Sequence, residues 1–82
     1  MEQEAIEGIG PILKELKDDT SVPKNVKLKI EKVIGILKKD SEIAIKASKA
    51  INELEEVADD VNLEPYTRTQ VWNVISALEK IK

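Results

Sequence analysis

Glu53, Glu56, Asp59 and Asp60 place four carboxylates within eight residues. On a helix the steps of three and seven from Glu53 bring Glu56 and Asp60 to its side, the raw geometry of a divalent-cation site. Hard cations, however, need oxygens converging from several elements, and the stretch from Asp59 to Glu64 has neither the acid spacing nor the glycine of an EF-hand. The Glu-x-x-His pair of a di-iron bundle is excluded because the chain contains no histidine. Cysteine is absent as well. That removes disulfides, thiol nucleophiles and thiolate metal sites, just as the missing histidine removes the commonest general base and transition-metal ligand. No glycine-rich phosphate loop follows a strand, and no carboxylate pair has a setting that would tune it for acid–base work. The acids therefore read as a solvated helix face. No metal, no cofactor and no catalytic residue are expected, and the chain is read as a non-enzyme.

Two other groupings could bind rather than react. Arg68 and Trp72 are four residues apart, so on a helix the guanidinium can lie over the indole. Tyr66 and Asn73 come from the same corner, and Tyr66, Arg68, Trp72 and Asn73 form the candidate interaction patch, because Trp, Tyr and Arg are the residues that anchor interfaces. The competing reading of a lone Trp in a small domain is core filling. The second grouping is basic. Lys24, Lys27 and Lys38, with Lys32 near them, make a strip that could face phosphate.

Segment charges bear on both readings. Residues 1–21 carry six acids against two lysines, residues 22–39 carry +5, residues 40–64 carry −6 and residues 65–82 carry +2, within a total of −3. The sign alternates helix by helix, so the plainer explanation of the lysines is attraction across antiparallel seams. Phosphate binding usually accompanies a basic total or a concentrated patch, and an acidic total counts against it.

The elements that must position these groups are helical throughout. Apolar residues recur at 3.6-residue spacing with no sustained alternation, which predicts an all-α, four-helix antiparallel up-and-down bundle forming a single domain over residues 1–82, with helices near 2–17, 23–39, 41–60 and 66–81. Ile6, Ile9, Leu13 and Leu16 face inward on the first, with Ile12 beside them, and Pro11, flanked by Gly8 and Gly10, predicts a kink or a late start there. The second starts at Val22-Pro23 and turns Val26, Ile30, Val33, Ile34 and Leu37 inward. The third is expected to be capped by Asp40 or Ser41. Its steps of four and three through Ile43, Ala47, Ala50, Leu54, Val57 and Val61, with Ala44, Ile51 and Ala58 alongside, make a face wide enough for a bundle rather than a two-stranded coil. The fourth, with Thr67-Arg68-Thr69-Gln70 as a capping box, buries Val71, Val74, Ile75, Leu78 and Ile81.

Shifting the chain by 41 residues sets Leu13 on Leu54, Glu15 on Glu56, Asp18-Asp19 on Asp59-Asp60 and Lys39 on Lys80. Each half then reads helix, Asp-Asp, turn, proline, helix. The period lies in the range of HEAT-like hairpins, and two such hairpins can close into one bundle.

The stretches Asp19-Thr20-Ser21-Val22-Pro23-Lys24-Asn25-Val26-Lys27 and Thr67-Arg68-Thr69-Gln70-Val71-Trp72-Asn73-Val74-Ile75-Ser76-Ala77-Leu78-Glu79 resemble the two signature stretches of a small uncharacterised archaeal protein family. The resemblance implies a four-helix bundle of archaeal cytoplasmic origin with no assigned activity, and it supplies no catalytic residue. No apolar run approaches the roughly 18 residues that span a bilayer, and the acidic Met1-Glu2-Gln3-Glu4 is unlike the basic start of a signal peptide. A cytoplasmic location without membrane contact is expected. The function expected is a small protein-interaction module with a protein partner still to be identified, open to self-association as a homo-oligomer. The alternative is a nucleic-acid or ribonucleoprotein accessory using the basic second helix.

Overall fold

Helical periodicity in the sequence becomes four helices in the fold. The computed structural model describes the backbone of residues 2–81 and the side chains of residues 8–81. Among the described residues there are four helices and no strand: α1 (Glu2–Asp18), α2 (Lys24–Lys38), α3 (Ile43–Ala58) and α4 (Pro65–Ile81). The connections, 19–23, 39–42 and 59–64, are too short to cross the bundle, so successive helices run antiparallel. α1 packs on α2 and α4, and α3 packs on the same two helices. The ring of neighbours is therefore closed in a body of 32 × 18 × 18 Å.

The core is aliphatic. Ile9, Leu13 and Leu16 of α1, Val26, Ile30, Val33 and Leu37 of α2, and Val71, Val74, Ile75 and Leu78 of α4 are buried as the spacing predicts, and α3 contributes Ala47, Ala50, Ile51, Leu54, Val57 and Ala58. Ile6, also expected inside, lies outside the described side chains. Three residues of the expected α3 face are not fully buried, Ile43 being half-buried at the helix start. Ala44 is exposed, and Val61 is 90% exposed because the helix has already ended. Val22 and Leu63, which precede α2 and α4, take buried places instead.

Several helix ends differ from expectation, each for a local reason. α1 runs without interruption through Pro11. Pro11 is exposed, while Ile9 and Leu13 on either side of it are anchored in the core, so the missing N–H is on the water side, where a carbonyl keeps other partners. α3 is preceded by Glu42 with no side-chain cap, because Asp40 and Ser41 belong to a bend in which the Ser41 N–H donates to the Lys39 carbonyl. At its other end α3 stops at Ala58 rather than residue 60, since the Asp60 side chain offers the backbone an alternative to the helix. Its Oδ1 accepts the Asn62 N–H at 2.8 Å. α4 begins with Pro65 in the first-turn position that suits proline. The expected capping box does not form, for Thr67 is already inside the helix and buried at 2% exposure.

The 41-residue correspondence extends to the hydrogen bonds. Asp19 Oδ1 accepts the Ser21 N–H at 2.8 Å, as Asp60 Oδ1 accepts that of Asn62. The Asp19 carbonyl accepts from Val22 and the Asp60 carbonyl from Leu63, both at 3.2 Å, and the two acceptors' own N–H groups donate to Leu16 and Val57. Lys27 donates to the Pro23 carbonyl and Arg68 to that of Glu64. Two hairpins built on one plan thus close on each other.

Leu54 is fully buried at the middle of the helix that touches both neighbours. Leu54→Ala is expected to lose about 2–5 kcal/mol, a large part of a small domain's stability. A thermal melt shifted by less than about 4 °C would place the centre of the core elsewhere.

Candidate functional site

α3 ends without a basic residue in its last turn, which leaves its C-terminal carbonyls without the usual counter-charge. Arg68 supplies it from the neighbouring helix. Its Nε donates to the Ala58 carbonyl at 3.1 Å and its Nη2 to the Asp60 carbonyl at 2.6 Å. The guanidinium is therefore half-buried against the α3 terminus, a role no sequence spacing announces because both acceptors are backbone atoms. Asp60 is held from a third direction by Asn25 of α2, whose Nδ2 donates to Oδ2 at 3.0 Å. The Asn62 N–H, then Asn25, and the nearby charge of Arg68 hold the Asp60 carboxyl below its usual range.

The rest of the aromatic corner is displayed. Tyr66 is 62% and Trp72 46% exposed. Gln70 Nε2 donates to the Tyr66 hydroxyl at 3.3 Å, and Asn73 Nδ2 donates to Gln70 Oε1 at 3.1 Å. At the i, i+4, i+7 spacing, Tyr66, Gln70 and Asn73 share one edge of α4, whereas Arg68 and Trp72 share the other. Among the four patch residues, Tyr66 and Asn73 are linked through Gln70, Arg68 turns to α3, and Trp72 stands at the opposite border of the same outer face.

The α2 lysines do not form one strip. Lys32 Nζ lies 3.0 Å from Glu53 Oε1, directed at α3. Lys29, which the strip omitted, lies 3.3 Å from Glu53 Oε2 and 2.7 Å from Glu56 Oε2. The signal for this seam was a pair of lysines three apart facing a pair of glutamates three apart. Lys24 and Lys38 are exposed, Lys27 is half-buried and its charge acts on Asp19, and the exposed Glu31 interrupts their row. Lys32, with Lys29, holds the Glu53 carboxyl below its ordinary value of 4.5. Glu56, and secondarily Glu53, raises the Lys29 ammonium above 10.5. The acidic cluster is divided in the same way, with Glu53 and Glu56 spent on α2 and Asp60 on the turn. Among the described residues no group of three or more His, Cys, Asp or Glu is arranged to hold a metal ion, and no helix is long and apolar enough to cross a membrane.

Residues 1–81 match, as one continuous stretch, the uncharacterised protein family UPF0147. The chain belongs to this family. The UPF0147 protein MJ1419 of Methanocaldococcus jannaschii is 36% identical over 98% of this chain and 87% of its own length. UPF0147 protein PH1921.2 of Pyrococcus horikoshii is 42% identical over 98% of this chain and 88% of its own. Among solved structures, the crystal structure of the unknown function protein MMP1188 resembles this fold with a TM-score of 0.91 at 31% identity, covering 98% of this chain and 92% of that one. The UPF0147 relatives are thus archaeal, as the two signature stretches imply, and the family brings no activity with it.

The seam between α2 and α3 has a pH signature. A carboxyl held below its ordinary value stabilises the fold above that value and ceases to do so as the pH falls through its folded value. The melting temperature is therefore expected to decline as the pH drops below 4.5, and Glu53→Gln to flatten part of that decline. The raised Lys29 contributes below 10.5 and is lost as the pH rises through its folded value. Identical acid limbs for the two proteins, compared by thermal melts across the pH range, would show that the seam contributes nothing to stability.

Proposed function

We propose that the protein is a non-enzymatic interaction module of the archaeal cytoplasm that docks a protein partner on the outer face of α4, between Tyr66 and Trp72. The observation that carries this reading is the placement of the aromatics. The chain has one Tyr, one Trp and no Phe, the buried side chains among the described residues are aliphatic apart from Thr67, and both aromatic side chains are exposed on one helix. Fully burying a large apolar side chain is worth about 1.5–3 kcal/mol, and the bundle gives up part of such a gain by leaving Tyr66 62% and Trp72 46% exposed. Architecture does not demand them there. In the first hairpin, built with the same turn bonds, the corresponding positions are Asn25 and Glu31, both exposed. Trp and Tyr lead the residues that dominate binding energy, and here a helix of fixed position holds them, with Arg68 bonded to the α3 terminus between their turns.

The nucleic-acid alternative draws on α2, where Lys32 is already paired with Glu53 and Glu31 interrupts the remaining lysines.

Pull-down from native archaeal lysate tests the reading. A protein is expected to be retained at high salt and after nuclease treatment, and to be lost with Tyr66→Ala/Trp72→Ala. Because neither position is buried, that double variant should keep the fold and lose no more than about 1 kcal/mol, about 0.5 kcal/mol for each substitution. Retention unaffected by the double substitution would refute the α4 face. A generic RNA is expected to show no electrophoretic shift at roughly 50 or 200 mM salt. A salt-sensitive shift that Lys24→Gln/Lys27→Gln/Lys38→Gln removes would transfer the function to α2.

A further inference from the structure

Beside the connection between α2 and α3 lies a groove of about 500 Å³, within the range of roughly 300–1,000 Å³ typical of small-molecule sites. Among the described residues, Gly10 and Leu13 of α1 and Ile34 and Leu37 of α2 give its apolar lining. Among the described residues its charged lining is Lys38, Lys39 and Lys46 with one acid, Asp40, three cations to one anion on a protein whose total charge is negative. Lys46 Nζ donates to the Lys39 carbonyl at 3.2 Å. That bond fixes the ammonium at the rim, answers the negative end of the α2 dipole and leaves further N–H donors free.

Gly10 contributes a second observation. Glycine inside a helix is a destabilising choice, and here neither crowding nor backbone geometry requires it. A Cβ at Gly10 would meet nothing within 4 Å, and no glycine among the described residues has a positive φ. The same open space surrounds Gly8 and Gly35, but Gly10 alone of the three lines the groove, and there the missing side chain leaves one wall low.

We propose that this groove binds a single-chain anionic amphiphile, an aliphatic chain ending in a carboxylate, with the chain over Gly10 against Ile34 and the edge of Leu37 and the carboxylate at Lys38 and Lys46. A small polar anion would leave the apolar lining wet, and a cationic amphiphile would meet three ammonium groups. Lysine, a compact charge on a flexible stem, suits a head group that needs no bidentate fork. This site is separate from the α4 face and stands or falls independently of it.

The test titrates the isotopically labelled full chain with decanoate and follows its backbone amide resonances. Saturable shifts are expected around Gly10, Ile34, Leu37, Lys38 and Lys46, with a Kd between about 10 µM and 1 mM. Acetate, which is head group alone, and decyltrimethylammonium, which is chain with the opposite charge, are expected to give none there. Gly10→Leu fills the groove from open space, so it should abolish the shifts while leaving the melting temperature unchanged or higher. Lys46→Gln should weaken binding about tenfold with the fold intact. The proposal is overturned by no saturable shift up to about 10 mM decanoate, by equal binding of decyltrimethylammonium, or by shifts that persist in Gly10→Leu.

Discussion

Asp60 is the residue on which the two halves of the molecule meet. Its N–H closes the last turn of α3 on Val57, its carbonyl accepts from Leu63 and from Arg68, and its two carboxylate oxygens accept from Asn62 and from Asn25. One side chain therefore stops a helix, shapes the turn that follows, and ties that turn to α2 across the bundle. The aliphatic core is non-directional and would tolerate some sliding of helix on helix. Directional bonds at Asp60 fix where α4 departs and how far along α2 the second hairpin sits. In the first hairpin Asp19 makes the corresponding turn bonds, with Ser21 supplying both its N–H and its hydroxyl.

The charge seam adds pairing rather than bulk stability. Glu53 meets two lysines and Lys29 meets two glutamates, so four charges form a connected network instead of isolated pairs. Single exposed pairs contribute about 0–1 kcal/mol, but networks hold their value better as temperature rises, because the cost of dehydrating charges falls. The alternation of sign between helices also penalises the wrong neighbour. α2, with five lysines and one glutamate, carries +4 and lies beside α3, which carries −1.

Helix identity was written in the apolar spacing because burial of a stripe is a local, periodic demand. Ile9, Leu13, Val33, Leu54, Val74 and Leu78 all go where that period sends them. Boundaries were less legible where two local preferences compete. Asp59-Asp60 looked like the end of a helix and is the start of a turn, and Thr67 looked like a cap while Pro65 had already begun the helix. The site was legible in composition, since two lone aromatics invite notice, but not in arrangement. Helical spacing allows Arg68 to lie over Trp72, whereas its bonds to the Ala58 and Asp60 carbonyls have no counterpart in the sequence. Lys29 was missed because a lysine's partner is set by which way its helix faces, which only packing decides.

The single indole, half-wet on a helix that is otherwise anchored in an aliphatic core, makes the chain its own optical reporter. Its emission comes from one position alone, with no second tryptophan to average against, and it starts from a partly hydrated environment. Covering the outer face of α4 would move that emission to shorter wavelength and shield it from a dissolved quencher, whereas unfolding would move it the other way. Occupancy of that face and loss of the fold would thus differ in sign in one spectrum, without any label added.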